Sequence, residues 1–231
     1  MAYPTRLIKK EIVAEGTIVL HLKKPEEFSF KPGQHIDLGI ENMSESDDLG
    51  SVRTLSLVSA PHEDELAVAT CLRNTAFKRE LQKLEVGADN LSIDGPFGNM
   101  TLHSRSERPA VMLAGGIGIT PFVSMIRHAE HENLPHTITV LYSAHTAKDT
   151  PFLEELSETA VRTDRLALVS TLTQEDGKRI DEDLIRASVE NIADSVYYLA
   201  GPPKFVKAMQ DLLERMGVVD DDVRFEEFAG Y

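Results

Sequence analysis

The densest chemistry in this sequence lies between residues 110 and 121, Ala-Val-Met-Leu-Ala-Gly-Gly-Ile-Gly-Ile-Thr-Pro. Five apolar residues predict a buried strand, the glycines a tight turn, and the spacing from Ile119 to about His131 a helix. A strand that feeds such a turn leaves free backbone N–H groups at the helix N-terminus, which is an anion site. Gly115 and Gly116 permit the turn and the close approach of a pyrophosphate, and Gly118 predicts close contact of helix and ligand. Pro121 suits the first helical turn, where a missing amide costs nothing. The pattern is not G-x-G-x-x-G, and alone it also fits the plain topology of an α/β domain.

Two stretches in the first half carry matching chemistry. Arg53-Thr54-Leu55-Ser56 puts a fixed cation and a hydroxyl on one extended segment. Arg53 either grips a phosphate with its planar fork or pairs with a surface carboxylate. In Thr70 to Lys78, Asn74 or Thr75 caps a following helix whose first amides suit an anion. Cys71 alternates in an apolar strand and reads as core rather than as a nucleophile. Gly95-Pro96-Phe97-Gly98 reads as a closing turn.

The elements that position these residues fall into two groups. Short strands are expected at 7–14, 17–22, 35–40, 52–59, 65–72 and 90–94, with one helix at 75–84. That rhythm predicts a small antiparallel β-barrel. The acidic stretch from Glu41 to Gly50 has no apolar period and reads as an exposed loop. From residue 105 the order becomes β-α-β-α-β-α-β-α-β, which predicts a five-stranded parallel sheet with helices on both faces. The expected domains are 1–104 and 105–231. Ligands in such sheets collect beyond the C-terminal strand ends. Three loops lie there: the glycine turn, Ser143 to Lys148, and Gly201-Pro202-Pro203-Lys204. His145 and Lys148 would suit a ribose 2′-phosphate, or else are surface residues.

The totals exclude several classes. With 38 acidic against 24 basic residues and a net charge of −14, nucleic acid is not an expected partner. No apolar run is long enough for a membrane span, and the N-terminus lacks the apolar centre of a signal peptide. One cysteine excludes a disulfide within this chain or a multi-cysteine cluster held by it. His128 and His131 share a helix face without a third ligand, so no metal site is expected. A cytoplasmic protein follows; the oligomeric state is not legible.

The barrel, the α/β half and these loops, in this order, resemble the ferredoxin–NADP⁺ reductase superfamily over nearly the whole chain. The Glu226-Glu227-Phe228-Ala229-Gly230-Tyr231 ending belongs to the same likeness. The resemblance implies FAD, with FMN as the alternative, on the barrel, and NADPH or NADH on the second half. It implies Arg53 at the flavin phosphates, with Thr54 and Leu55 beside it, and Ser56 near flavin N5. Thr70 and Leu72 would line the flavin edge, and Thr75 and Ala76 would offer amides to phosphate. Gly115, Gly116, Gly118, Thr120 and Pro121 would wrap the nicotinamide nucleotide, with Thr120 near the ring, and Gly201 and Pro202 at its border. Ser143 and His145 would meet the adenosine end. Ser56 and Thr120 are the expected catalytic pair.

Three departures from the family pattern stand out. Leu55 replaces a frequent flavin-stacking aromatic, Ala200 a frequent cysteine, and Tyr231 or Phe228 is the candidate flavin cover. The implied activity is hydride transfer from NAD(P)H to the flavin and electron delivery to a ferredoxin-like or oxygenase-component protein. The alternatives are a flavin or quinone reductase with a small diffusible acceptor, and a non-catalytic electron-transfer or docking subunit.

Overall fold

The structure is a computed structural model that describes residues 2–228. Its first half holds β1 (Tyr3–Thr5), β2 (Leu7–Ala14), β3 (Thr17–Lys23), β4 (His35–Ile40), β5 (Val52–Ser56), β6 (Glu65–Cys71), α1 (Ala76–Lys83) and β7 (Leu91–Phe97). These strands form two antiparallel sheets, ordered β1-β7-β4-β5 and β2-β3-β6, that enclose a barrel core. The expected antiparallel barrel is therefore present as two sheets, bridged where Leu57 meets Val68.

Strand alternation decides what each half buries. On β3, Ile18, Leu20 and Leu22 point into the barrel core, while Val19 points outward. On β6, Leu66 and Val68 face inward and Ala67 and Ala69 outward. Period two is the geometry of a strand buried on both faces. The small outward residues let the second half approach closely: Val19, Ala67 and Ala69 share one apolar cluster with Ile119, Phe122 and Met125.

The second half holds β8 (Ala110–Gly115), α2 (Thr120–His131), β9 (Ile138–Ala144), α3 (Leu153–Arg162), β10 (Leu166–Leu172), α4 (Glu182–Ser188), β11 (Val196–Gly201), α5 (Pro203–Arg215) and β12 (Val223–Glu227). All five strands pair in parallel, in the order β10-β9-β8-β11-β12. Central β8 is wholly buried. Phe122 and Leu156 from α2 and α3 cover one face of the sheet; Ile185, Val206 and Leu212 from α4 and α5 cover the other.

Polar contacts fix the halves against each other. Ser124 Oγ donates to the Ser59 carbonyl at 2.6 Å, and the Glu15 amide donates to the Lys148 carbonyl at 2.7 Å. Arg127 forks onto Glu155 and reaches Glu63, and the rings of His62 and His131 stack. No helix is long and apolar enough to cross a membrane among the described residues.

Two elements differ from the sequence expectation. Tyr3–Thr5 forms an edge strand on β7 that so short a segment does not announce. Gly95-Pro96-Phe97 lies within β7 rather than in a turn, because Phe97 pairs with His35 and extends the ladder.

Candidate functional site

The site forms where the glycine turn of the α/β half meets the open side of the barrel. After β8, Gly116 to Ile119 make one 3₁₀ turn before α2 begins. Gly116 has φ +55°, which favours glycine, and no atom lies within 4 Å of where its Cβ would be. It is open to a ligand. Gly118 is different: a Cβ there would lie 2.1 Å from the Ala200 carbonyl oxygen. Its missing side chain lets the turn pack closely on β11. A Cβ on Gly115 would meet the Phe205 ring at 2.8 Å.

A cavity of about 650 Å³ opens above these strand ends. Gly115, Gly116, Ser143, His145, Pro202 and Phe205 line it from the α/β half, and Gly16, Cys71, Leu72 and Arg73 from the barrel. Leu72 thus faces this cavity. The His145 ring lies 3.2 Å from the Thr173 hydroxyl. Arg179, which the sequence reading passed over, lines the same end, whereas Lys148 is not among its lining residues. Arg179 follows the turn after β10, and only the sheet order brings that turn beside the end of β9.

A second cavity, of about 550 Å³, lies on the barrel and is lined by Arg53, Thr54, Ser56, Thr75 and Lys78, with Glu226 and Phe228 from the C-terminal strand and its exit. Arg53 is held in place before any ligand arrives. Its Nη1 donates to the carbonyls of Leu49, Gly50 and Val52 at 2.9, 3.0 and 2.7 Å, and its guanidinium packs over Phe77. Its Nη2 is buried without a hydrogen-bond partner. Thr54 donates to Asp37 on the neighbouring strand. Thr75 caps α1, with its hydroxyl accepting the Lys78 amide. The two expected amides are engaged: Thr75 N–H donates to the Arg73 carbonyl, and Ala76 N–H donates to Asp47.

Lys78 was not expected here. It is 1% exposed, and desolvation pushes its ammonium down to about 8. The signal for it was a lysine one turn from Leu81, on the apolar side of a helix. His35 and Glu226 were missed as well; His35 Nδ1 sits 3.0 Å from Glu226 Oε1 across the two halves.

A narrow gap, lined by Leu55, Ser56, Ala69, Ile117, Thr120 and Phe228, shares Ser56 and Phe228 with the barrel cavity and Ile117 with the other. Here the structure brings the expected pair, Ser56 and Thr120, together. Thr120 Oγ1 donates to the Ile117 carbonyl at 2.9 Å, so its proton is committed and its lone pairs are not. Ser56 is 5% exposed, and its Oγ is buried without a partner. Thr70 Oγ1 is also buried and unpartnered, but Thr70 lines none of these three spaces. Pro121 is buried in the first turn of α2. Gly201 accepts the Phe228 amide at 2.9 Å and so sets the course of the chain past the gap. Tyr231 lies outside the described residues.

Comparison with known proteins agrees with both halves. Residues 112–211 match the oxidoreductase NAD-binding domain model. The reductase component of propane 2-monooxygenase from Mycolicibacterium goodii is 28% identical over 97% of this chain. A ferredoxin NADP⁺ reductase of known structure from Neisseria gonorrhoeae superposes with a TM-score of 0.83 at 23% identity, covering 98% of each chain. This likeness shows the fold, a β-barrel followed by a parallel α/β half as in that reductase. Another member of this fold, the flavohem-like FAD/NAD binding domain of nitric oxide dioxygenase from Vibrio cholerae, gives a TM-score of 0.82 at 20% identity over 99% of each chain. The chain spans 67% of the length of the Mycolicibacterium goodii reductase component, and 63% of three further components of that type.

Proposed function

We propose that this chain is an FAD-dependent NAD(P)H oxidoreductase that passes electrons to a ferredoxin-like or oxygenase-component protein. One observation carries the reading: Ser56, its hydroxyl buried and without a partner, lines the narrow gap together with Thr120. A buried hydroxyl left without a partner costs free energy unless a ligand completes it. The residues fit a flavin. Arg53 Nη2, also buried and without a hydrogen bond, supplies the cationic end of the barrel cavity, and Leu55 an apolar wall. Bound flavin supplies the hydride-accepting ring; the protein holds and orients it.

Within this reading the residues divide the work. Arg53 and Thr75 hold the phosphate end, while Ser56 donates to the reacting edge. Gly116 lets the nicotinamide nucleotide approach backbone, and Thr120 orients its ring against Ser56. Phe228 closes the gap and excludes water. The functional boundary falls at 104/105, and a cytoplasmic setting accords with the single cysteine, Cys71. A protein acceptor is supported by the Mycolicibacterium goodii relative, a monooxygenase reductase component. Exposed Leu49 and Val52 on the rim of the barrel cavity, and Phe97 beside His35, offer such a partner apolar contact.

Anaerobic titration of the purified protein with NADH and NADPH, with the extracted flavin identified, tests the reading. Bleaching of a bound yellow chromophore supports it. A protein that stays colourless after incubation with FAD or FMN would sink it.

Two further outcomes follow from charge. Arg179 is the cation beside Ser143 and His145, so R179E is expected to weaken NADPH binding about tenfold and to leave NADH nearly unchanged. Michaelis constants for both donors check this. Burial pushes the Lys78 ammonium down to about 8, and an anion in the same cavity would favour the charged form. Flavin binding should therefore take up a proton above pH 8, and affinity should fall as pH rises from there towards the ordinary lysine range. Fluorescence titrations at a series of pH values read this out, and K78M should flatten the profile.

A further inference from the structure

The acidic loop from Glu41 to Gly50 reads as exposed linker, yet one of its residues engages the start of α1 and Arg53, beside the barrel cavity. Asp47 Oδ2 accepts the Ala76 amide at 2.7 Å, at the start of α1. Its Oδ1 accepts the Leu49 amide at 3.0 Å and lies 3.6 Å from Arg53 Nη2. That is the chemistry of a phosphate: an anion placed between a helix amide and a guanidinium. The Ala76 amide holds the carboxyl below its usual range, so Asp47 stays charged through neutral pH.

The loop is positioned from both sides. Arg79 and Lys83 on α1 hold Glu45 at 2.6 and 3.2 Å, and Ser44 bonds Glu80. On the other side, Arg53 Nη1 takes the carbonyls of Leu49 and Gly50. Surface pairs of this kind are individually weak, so the arrangement is held by interactions that a stronger ligand can replace. Two observations besides the helix start point to a ligand: the buried, unpartnered Ser56 Oγ, and the buried Arg53 Nη2 without a hydrogen bond. At 3.6 Å, Asp47 occupies the guanidinium's field without satisfying its N–H groups.

We infer that Asp47 is a built-in competitor for the flavin phosphate, and that the Glu41–Gly50 loop must withdraw it before flavin can bind. This rests on the flavin reading above. A phosphate cannot share the Ala76 amide and Arg53 Nη2 with a carboxylate, because both are anions seeking the same donors. The apparent affinity is the intrinsic affinity scaled by the fraction of molecules with Asp47 withdrawn. Flavin affinity is then set in part by how readily the loop gives Asp47 up.

The test is a flavin titration of the full-length apoprotein, followed by fluorescence, for wild type, D47N, D47A and D48N. Asp48 is an exposed neighbour, so D48N controls for the change in net charge. D47N and D47A should tighten FAD binding by about tenfold or more and slow its release, with D48N unchanged. Wild-type or weaker binding by both Asp47 variants, with the wild type itself binding FAD, overturns the competitor and leaves the flavin reading intact. Equal tightening by D48N also overturns it, since general charge would then be the cause. If no form binds FAD or FMN, the flavin reading fails and the competitor with it.

Discussion

Replacing Arg53 with methionine should raise the flavin dissociation constant on the order of 100-fold while leaving a folded protein. The guanidinium divides its donors. Nη1 is spent on three carbonyls of the preceding loop and Nη2 is kept, buried and without a hydrogen bond, at the cavity. A charge-assisted hydrogen bond to phosphate contributes about 1.5–3 kcal/mol, and methionine retains only the packing over Phe77. Lysine supplies a charge but no fork, so R53K should fall between the two. Fluorescence titration gives the affinities, and thermal unfolding of the apoproteins shows whether the loop has come apart. An R53M protein that keeps its fold and binds flavin like wild type would move the anion end of the site elsewhere.

The parts of this molecule that were legible in its sequence are those set by local chemistry. The strand at Ala110–Gly115, its glycine turn and the helix at Thr120–His131 are written as an apolar run, then glycines, then helical spacing. The alternating β/α order of the second half predicted its parallel sheet for the same reason. What was not legible depends on pairing across the chain. Gly95-Pro96 signals a turn locally, yet the partner strand at His35 carries the ladder on through Phe97. Asp47 reaches the Ala76 amide across 29 residues, and no short pattern announces such a contact. Arg179 joins Ser143 and His145 only because β10 lies beside β9. Ser56 and Thr120 lie on separate halves of the chain, and the small outward alanines of β6 let those halves approach closely enough for both to line one gap.

That meeting point yields the second large effect. Ser56→Ala should slow flavin reduction by NAD(P)H about 10- to 100-fold, the cost of one hydrogen bond lost from the transition state. The apoprotein should be as stable as wild type or slightly more so, because the hydroxyl removed has no partner in the structure. This pairing of outcomes separates a role in chemistry from a role in folding. A serine that merely packed the gap would leave a void on truncation and lower the unfolding temperature. A serine that held phosphate would weaken flavin binding, which Arg53→Met should do and Ser56→Ala should not. Anaerobic stopped-flow bleaching of the reconstituted protein measures the rate, and S56T, which keeps the hydroxyl, should recover part of it. Thr120 cannot substitute, since its proton is already given to the Ile117 carbonyl. A wild-type rate in S56A would mean that the reacting edge of the flavin takes its hydrogen bond from another group, and the gap between the cavities would lose its claim to the chemistry.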